Sequence, residues 1–147
     1  MTRLPAVLLG LLLALSAAAD EGAKVVAAKG KFADVKDDLV AAIEQRGLVV
    51  NFTAHVGDML ERTGRDLGKA RRIYEQAEVI EFCSATVSRA MMEADAQNLV
   101  LCPYTIAIYT LPGKPGVVYL GHRKYPQSEA LKPVAGLLEG IVADVIK

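Results

Sequence analysis

The sequence feature that constrains the fold most strongly is a pair of apolar segments near the carboxyl terminus. The segments are NLVLCPYTIAIYT and GVVYLGH, and the connection between them is LPGKPG. Both are rich in β-branched and aromatic residues, and a short connection of glycine and proline favours a hairpin. The sequence therefore predicts at least one antiparallel pair of strands.

Upstream segments alternate between strand-like and helix-like patterns. AKVVAAKG and AEVIEFC are strand-like, and the second places Ile80 and Phe82 on one face with Glu81 and Cys83 on the other. LVVNFTAHV alternates as well, which predicts a half-buried strand with Phe52 on its apolar side. Strands separated by helices, with one clear hairpin, predict an α+β fold, a two-layer sandwich of a mostly antiparallel sheet with helices packed on one face.

Four segments carry apolar residues at helical spacing. Asp34 is the expected amino-terminal cap of the first helix and Ser84 that of the third. Gly47 is the expected end of the first helix, and Pro133 fits the first turn of the last one. The expected buried stripes are Val35, Leu39 and Ile43; Met59, Leu60, Thr63 and Leu67; Val87, Ala90, Met91 and Ala94; and Val134, Leu138, Ile141 and Val145.

The amino-terminal segment MTRLPAVLLGLLLALSAAAD has the layout of a secretory signal peptide. One early basic residue, Arg3, precedes an apolar run that ends in small residues. The run is shorter than the ~20 residues that a membrane span needs. We expect residues 1–19 to be the signal peptide, cleavage near Ala19, and a periplasmic or secreted product with no membrane association after cleavage.

The remaining residues, 20–147, have the length of a single domain. Loss of Arg3 with the leader leaves 16 basic and 17 acidic residues. This balance provides no positive field for nucleic acid or an anionic membrane, so neither is an expected partner. A small ligand or a metal is the expected partner. The sequence does not determine whether the chain forms an oligomer.

Three stretches resemble a known family. HVGDMLERTG, the run EFCSATVSRAMM with its ADAQN, and LCPYTIAIY are similar to the exported branch of the uncharacterised family called domain of unknown function 302. The resemblance covers nearly all of residues 20–147. It implies a compact α+β domain, and it implies no known activity.

Cys83 is the first candidate for chemistry because it lies where a strand is expected to end and a helix to begin. The positive end of a helix lowers the pKa of a nearby thiol, whereas the carboxylate of Glu81 acts in the opposite direction. The alternative is a small buried side chain, which is the usual role of a free cysteine.

Cys102 is the second candidate, and its distance from Cys83 depends on topology. A disulfide needs Cα atoms within about 7 Å. Parallel strands would keep the two cysteines apart, whereas antiparallel strands would bring them together. We expect them on the same side of the domain without an obligatory structural disulfide.

His55, Met59, Cys83 and either Met91 or Met92 supply imidazole and sulfur groups, which copper prefers. Copper or another soft metal is therefore a candidate cofactor, although methionines at helical spacing usually belong to a core. Attachment of c-type haem is excluded because the chain has no Cys-x-x-Cys-His motif.

The leading functional hypothesis is a non-enzymatic exported domain that binds a ligand or metal, or performs thiol redox chemistry, through Cys83, Cys102 and His55. One alternative is an enzyme with Cys83 as its nucleophile and a histidine as base. The other is a structural module that docks to another protein. The sequence does not choose between an enzyme and a binding protein.

Overall fold

A computed structural model describes residues 22–69 and 71–146. The predicted signal peptide, residues 1–19, lies outside the described residues, so it stays a prediction. The elements in chain order are β1 (Ala23–Lys29), α1 (Phe32–Glu44), β2 (Val49–Ala54), α2 (Val56–Asp66), β3 (Gln76–Cys83), α3 (Ala85–Ala94), a 3₁₀ segment (Ala96–Leu101), β4 (Tyr104–Thr110), β5 (Val117–Arg123) and α4 (Lys132–Val145).

The five strands form one sheet in the order β1-β5-β4-β3-β2, and every neighbouring pair is antiparallel. The predicted carboxyl-terminal hairpin is present as β4 and β5, with Ile108 opposite Leu120. Helices α1, α3 and α4 pack with one another and with one face of the sheet. The predicted α+β sandwich is therefore confirmed.

The core lies between this sheet face and the three helices. Alternate residues of the central strands supply it, and Ile80, Phe82 and Tyr104 are fully buried. The rings of Phe82 and Tyr104 meet edge to face, with centroids 6.1 Å apart. The expected faces of β3 are confirmed, since Phe82 is buried while Glu81 is not.

β2 departs from its expected alternation. An irregularity in the pairing with β3 falls between Val50 and Phe52, and the extra residue moves Phe52 to the face opposite the helices. Phe52 is consequently 60% exposed and Val49 is 70% exposed. The prediction that Phe52 faces the apolar layer was wrong because strict alternation does not anticipate a bulge.

The expected stripes of α1 and α4 are largely buried, but those of α2 and α3 are not. No residue of α2 is buried, and Met59 and Leu67 are 46% and 66% exposed. α2 instead approaches β3 through Gly57, where a Cβ atom would lie 2.9 Å from the backbone nitrogen of Ala77. A glycine is therefore needed at this contact.

Two smaller expectations also fail. Asp34 does not cap α1, whose amino-terminal cap position is Lys31. α3 buries Met91 but leaves Ala90 and Ala94 exposed, because the helix ends at Ala94 and a 3₁₀ segment follows. The 3₁₀ segment also replaces the expected start of β4.

Among residues 22–69 and 71–146, no helix has both the length and the apolar character needed to cross a membrane.

Candidate functional site

The end of β3 and the start of β4 bring the two cysteines together. Phe82 pairs with Tyr104, so the next residues in the antiparallel register are Cys83 and Pro103, and Cys102 lies beside them. Cys102 is one of the neighbours that act on the Cys83 thiol, and both cysteines are free and half-buried. The structure thus has the antiparallel arrangement that the sequence left open.

Ser88 connects this thiol pair to the core. Its Oγ lies 3.1 Å from Cys102 Sγ and 2.9 Å from the hydroxyl of Tyr104. Ser84 fixes the start of α3, because its side chain accepts a hydrogen bond from the backbone nitrogen of Val87 at 3.4 Å. We call Cys83, Cys102, Ser88 and Tyr104 the thiol site.

Sequence reasoning missed Ser88 and Tyr104 as members of the site. Tyr104 was assigned only to a strand, and Ser88 had no assigned role. The available signal was spacing, since Ser88 lies one helical turn after the expected cap Ser84 and therefore near the end of the preceding strand.

The surroundings of Cys83 disfavour its thiolate. Burial has the largest effect and raises the pKa of the Cys83 thiol, and the neighbouring Cys102 raises this pKa further. The backbone of Tyr104 acts in the opposite direction by hydrogen bonding, whereas Glu81 adds a small increase in the pKa. The lowered pKa expected from the helix start is therefore overruled by burial and by the second thiol.

Two tyrosines beside Cys102 also hold their protons tightly. Burial raises the pKa of Tyr104 to about 12, although its hydrogen bond with Ser88 acts against the shift. Burial likewise raises the pKa of Tyr125, against the effect of the nearby Arg123. Around Cys102 the structure therefore places the hydroxyl groups of Ser88 and Tyr104, which are hydrogen-bonded to each other.

His55 and Met59 lie at the other end of β3. The Nδ1 atom of His55 is 3.3 Å from Glu78 Oε1, and Glu78 is also paired with Lys36 at 2.6 Å. Glu78 and Cys83 are separated by five residues of extended chain, or roughly 17 Å. The structure therefore does not bring His55 or Met59 together with Cys83.

The remaining ligand candidates do not assemble a metal site either. Met92 packs against the margin of the core from α3, and Met91 is fully buried within it. Within the part of the chain that the structure describes, no group of three or more histidine, cysteine, aspartate or glutamate side chains is arranged to hold a metal ion.

His122, the second histidine, is not placed to serve Cys83 as a base. It is buried on β5, and its Nδ1 atom lies 2.8 Å from the carbonyl oxygen of Arg123. β5 is separated from β3 by β4. A cysteine–histidine pair built from either histidine is therefore absent among the described residues.

Comparison with known proteins gives a family and a fold. The family model described as "Domain of unknown function DUF302" matches residues 23–147. The crystal structure of an uncharacterised conserved DUF302 protein from Bacillus stearothermophilus superimposes with a TM-score of 0.65 at 15% sequence identity, over 85% of this chain and 96% of that one. No curated protein matches the chain. The chain belongs to the family described as domain of unknown function DUF302.

Proposed function

We propose that the protein is an exported dithiol domain whose Cys83 and Cys102 interconvert between two free thiols and one disulfide. The observation that carries this proposal is that two free cysteines lie together, Cys83 at the end of β3 and Cys102 just before the neighbouring β4. A disulfide joins cysteines whose Cα atoms lie within about 7 Å, so this placement suits a reversible bond.

The redox step needs a disulfide-bearing partner molecule as the oxidant. A thiolate of the pair attacks one sulfur of the partner disulfide, which breaks and releases the first partner thiol. The second cysteine then attacks the mixed disulfide and releases the second partner thiol. Two electrons and two protons leave the domain, the Cys83–Cys102 bond forms, and the partner disulfide is reduced to two thiols.

The raised pKa of Cys83 determines how fast this exchange begins. Thiolate is the attacking species, so a thiol with a raised pKa reacts slowly at neutral pH. Slow attack suits a domain that changes state with its surroundings, and it weighs against an enzyme that uses Cys83 as a rapid nucleophile. Such an enzyme would need a lowered pKa and a base in contact.

Ser88 and Tyr104 support both redox states. Ser88 can donate to the sulfur of Cys102 or accept from its thiol, because a hydroxyl has both capacities. Its bond to Tyr104 anchors the hydroxyl to a fully buried side chain. The hydrogen bonds around Cys102 therefore adjust when the thiol proton is lost, without moving the core.

Export is the second half of the proposal, and the leader-like residues 1–19 support it. Disulfides persist in the bacterial periplasm and are rare in the cytosol. An exported domain would therefore meet both oxidants and thiol-reducing partners, which a redox role requires.

A redox titration tests the proposal. Protein produced from the full chain is equilibrated in glutathione buffers that span about −320 to −120 mV, the range of cellular thiol couples. Intact mass after alkylation then reports the free thiols. We expect one transition in which both thiols disappear together, and we expect Cys83→Ser and Cys102→Ser to abolish it. Ser128→Ala, at an exposed serine outside the thiol site, is the matched control and leaves the transition unchanged.

The proposal fails if both thiols stay free across the whole range, or if oxidation yields only glutathione adducts. Elemental analysis of the same protein addresses the soft-metal alternative. A copper ion bound in one-to-one ratio and lost in Cys83→Ser would replace the redox proposal with a metal-binding function.

A further inference from the structure

One face of the sheet is opposite the layer formed by α1, α3 and α4, and its side chains are largely apolar. Strand residues alternate between faces, so this face carries the neighbours of the buried Ile80 and Ile106. We call it the open face, and define it as the odd-numbered residues of β1, β3, β4 and β5 together with Val49, Phe52 and Ala54 of β2.

The strand register arranges the open face in transverse rows. One row reads, from β1 to β2, Val25, Gly121, Ala107, Val79 and Ala54. Val25 is 48% exposed although it is apolar. This row contains only apolar side chains and glycine, so contact with another apolar surface is more favourable for it than exposure to water.

A second row carries two of the three charges of the open face, and Lys29 at the end of β1 carries the third. Continuing the same register, it reads Ala23, Arg123, Thr105, Glu81 and Phe52. In the described part of the chain, neither Arg123 nor Glu81 forms an ion pair. One cation and one anion therefore flank the central strand, and neither is in an ion pair with another described residue.

A third row is aromatic. The rings of Tyr109 and Tyr119 are stacked with centroids 5.1 Å apart, and Tyr74 meets Tyr109 edge to face at 5.3 Å. Tyrosine is enriched in the buried centres of protein interfaces. Tyr109 and Tyr119 thus face each other on neighbouring strands, and Tyr74 packs against Tyr109 from the segment before β3.

These rows are self-complementary about a twofold axis parallel to β4. β4 is the central strand, so such an axis places β5 of one copy over β3 of the other, and β1 over β2. In the first row Val25 then meets Ala54 of the second copy, and Gly121 meets Val79. Each larger side chain faces a smaller one, as close packing between two sheets requires.

The same axis pairs the charges. Arg123 meets Glu81 of the second copy, and the exposed ring of Phe52 meets Ala23. A twofold axis perpendicular to the strands would instead place β3 over β3 and bury Glu81 against apolar residues. An unpaired buried charge is strongly unfavourable, so the parallel axis is the one that the sequence of the face allows.

The size of the open face is consistent with a stable pair. Five strands about 4.8 Å apart and about 22 Å long give a flat footprint of roughly 500 Å² before the relief of the side chains is added. Specific interfaces bury about 600 Å² or more on each partner. The open face therefore approaches the required area when it is used completely.

We infer that the open face is the interface of a homodimer, in which two sheets stack about a twofold axis along β4 with Arg123 paired to Glu81 of the second copy. Helices α1, α3 and α4 lie on the other face of the sheet, away from the second copy. Cys83 is itself a residue of the open face, in the row that it shares with Val49, so the dimer is measured with both thiols reduced.

Sedimentation equilibrium of protein produced from the full chain tests the dimer. We expect a dimer at micromolar concentration. Arg123→Glu and Glu81→Arg should each weaken dimerisation by about tenfold or more, because each places like charges opposite one another. The double variant restores opposite charges and should dimerise nearly as well as the wild type. Arg89→Glu, an exposed reversal on α3, is the matched control and should have no effect.

Circular dichroism confirms that each variant is folded. A wild-type protein that stays monomeric at ~100 μM, a concentration at which a dimer with a Kd of about 10 μM is mostly formed, overturns the inference. A dimer that is insensitive to both single reversals, or a double variant that is no better than the single variants, overturns the paired arrangement.

Discussion

Cys83 illustrates how a local expectation is reversed by tertiary contacts. Its position just before the cap of α3 predicts a lowered pKa, because the helix end is positive. Burial and the adjacent Cys102 outweigh that effect and raise the pKa. Sequence spacing places Cys83 at the helix start but contains no information about the second sulfur, which belongs to Cys102, 19 residues later and just before β4.

The reactivity of Cys83 should follow from this raised pKa. Iodoacetamide labelling at pH 7 is expected to be slower than labelling of a small free thiol, and the rate should rise about tenfold per pH unit as long as the pH is below the pKa of Cys83. The sign is fixed because only the thiolate reacts and a raised pKa keeps the thiol protonated. Peptide mapping of the labelled wild-type protein distinguishes Cys83 from Cys102.

The variant Cys102→Ser provides an internal control. Removal of Cys102 takes away one cause of the raised pKa, so labelling of Cys83 should become faster in Cys102→Ser than in the wild type. Rapid labelling of wild-type Cys83 at pH 6 would contradict this account and would favour a nucleophilic enzyme.

At the scale of elements, the central strands were predictable and the edge was not. β3, β4 and β5 alternate strictly because each has strand neighbours on both sides and a core on one face. β2 lies at the edge, where a bulge is tolerated and reverses the exposure of Phe52. α2 had a convincing apolar stripe, but its contact with β3 is made through Gly57.

The register of β3 predicts unequal effects of two neighbouring substitutions. Phe82→Ala should lower the free energy of unfolding by about 3 to 5 kcal/mol, because it removes a fully buried aromatic side chain. Glu81→Ala removes a partly exposed side chain and should change this free energy by about 0.5 kcal/mol or less. Urea midpoints measure both.

Two points govern the interpretation of that comparison. The midpoints are measured at low protein concentration, so that dimerisation through the open face does not contribute to the difference. Equal midpoints for Phe82→Ala and Glu81→Ala would contradict the assignment of the two faces of β3.

At the scale of the whole molecule, the fold class was predictable, but only part of the thiol site was. The two cysteines were identified from the sequence, whereas Ser88 and Tyr104 were not. Strand and helix patterns gave the sandwich and the hairpin, because periodicity directly reports which face is buried. Sequence reasoning grouped His55 and Met59 with Cys83, although they occupy opposite ends of β3. Distances between elements depend on strand direction and pairing, which periodicity does not encode.

The export proposal makes a prediction for the intact protein. When the full chain is expressed in a bacterium, the product in the periplasm should begin at Asp20, because small residues precede this position. Mass spectrometry of the purified product and its amino-terminal peptide measures the start. A product that retains residues 1–19 and remains in the cytosol would contradict export.

The central claim, a reversible bond between Cys83 and Cys102, is tested most directly by trapping thiols in living cells. Cells that express the full chain are quenched in acid, the free thiols are alkylated, and the peptides are mapped by mass spectrometry. We predict a Cys83–Cys102 disulfide in part of the protein, more of it after addition of a thiol oxidant, and two alkylated cysteines after addition of a reductant. Two cysteines that remain fully alkylated after the oxidant, with no peptide linking Cys83 to Cys102, would contradict the claim.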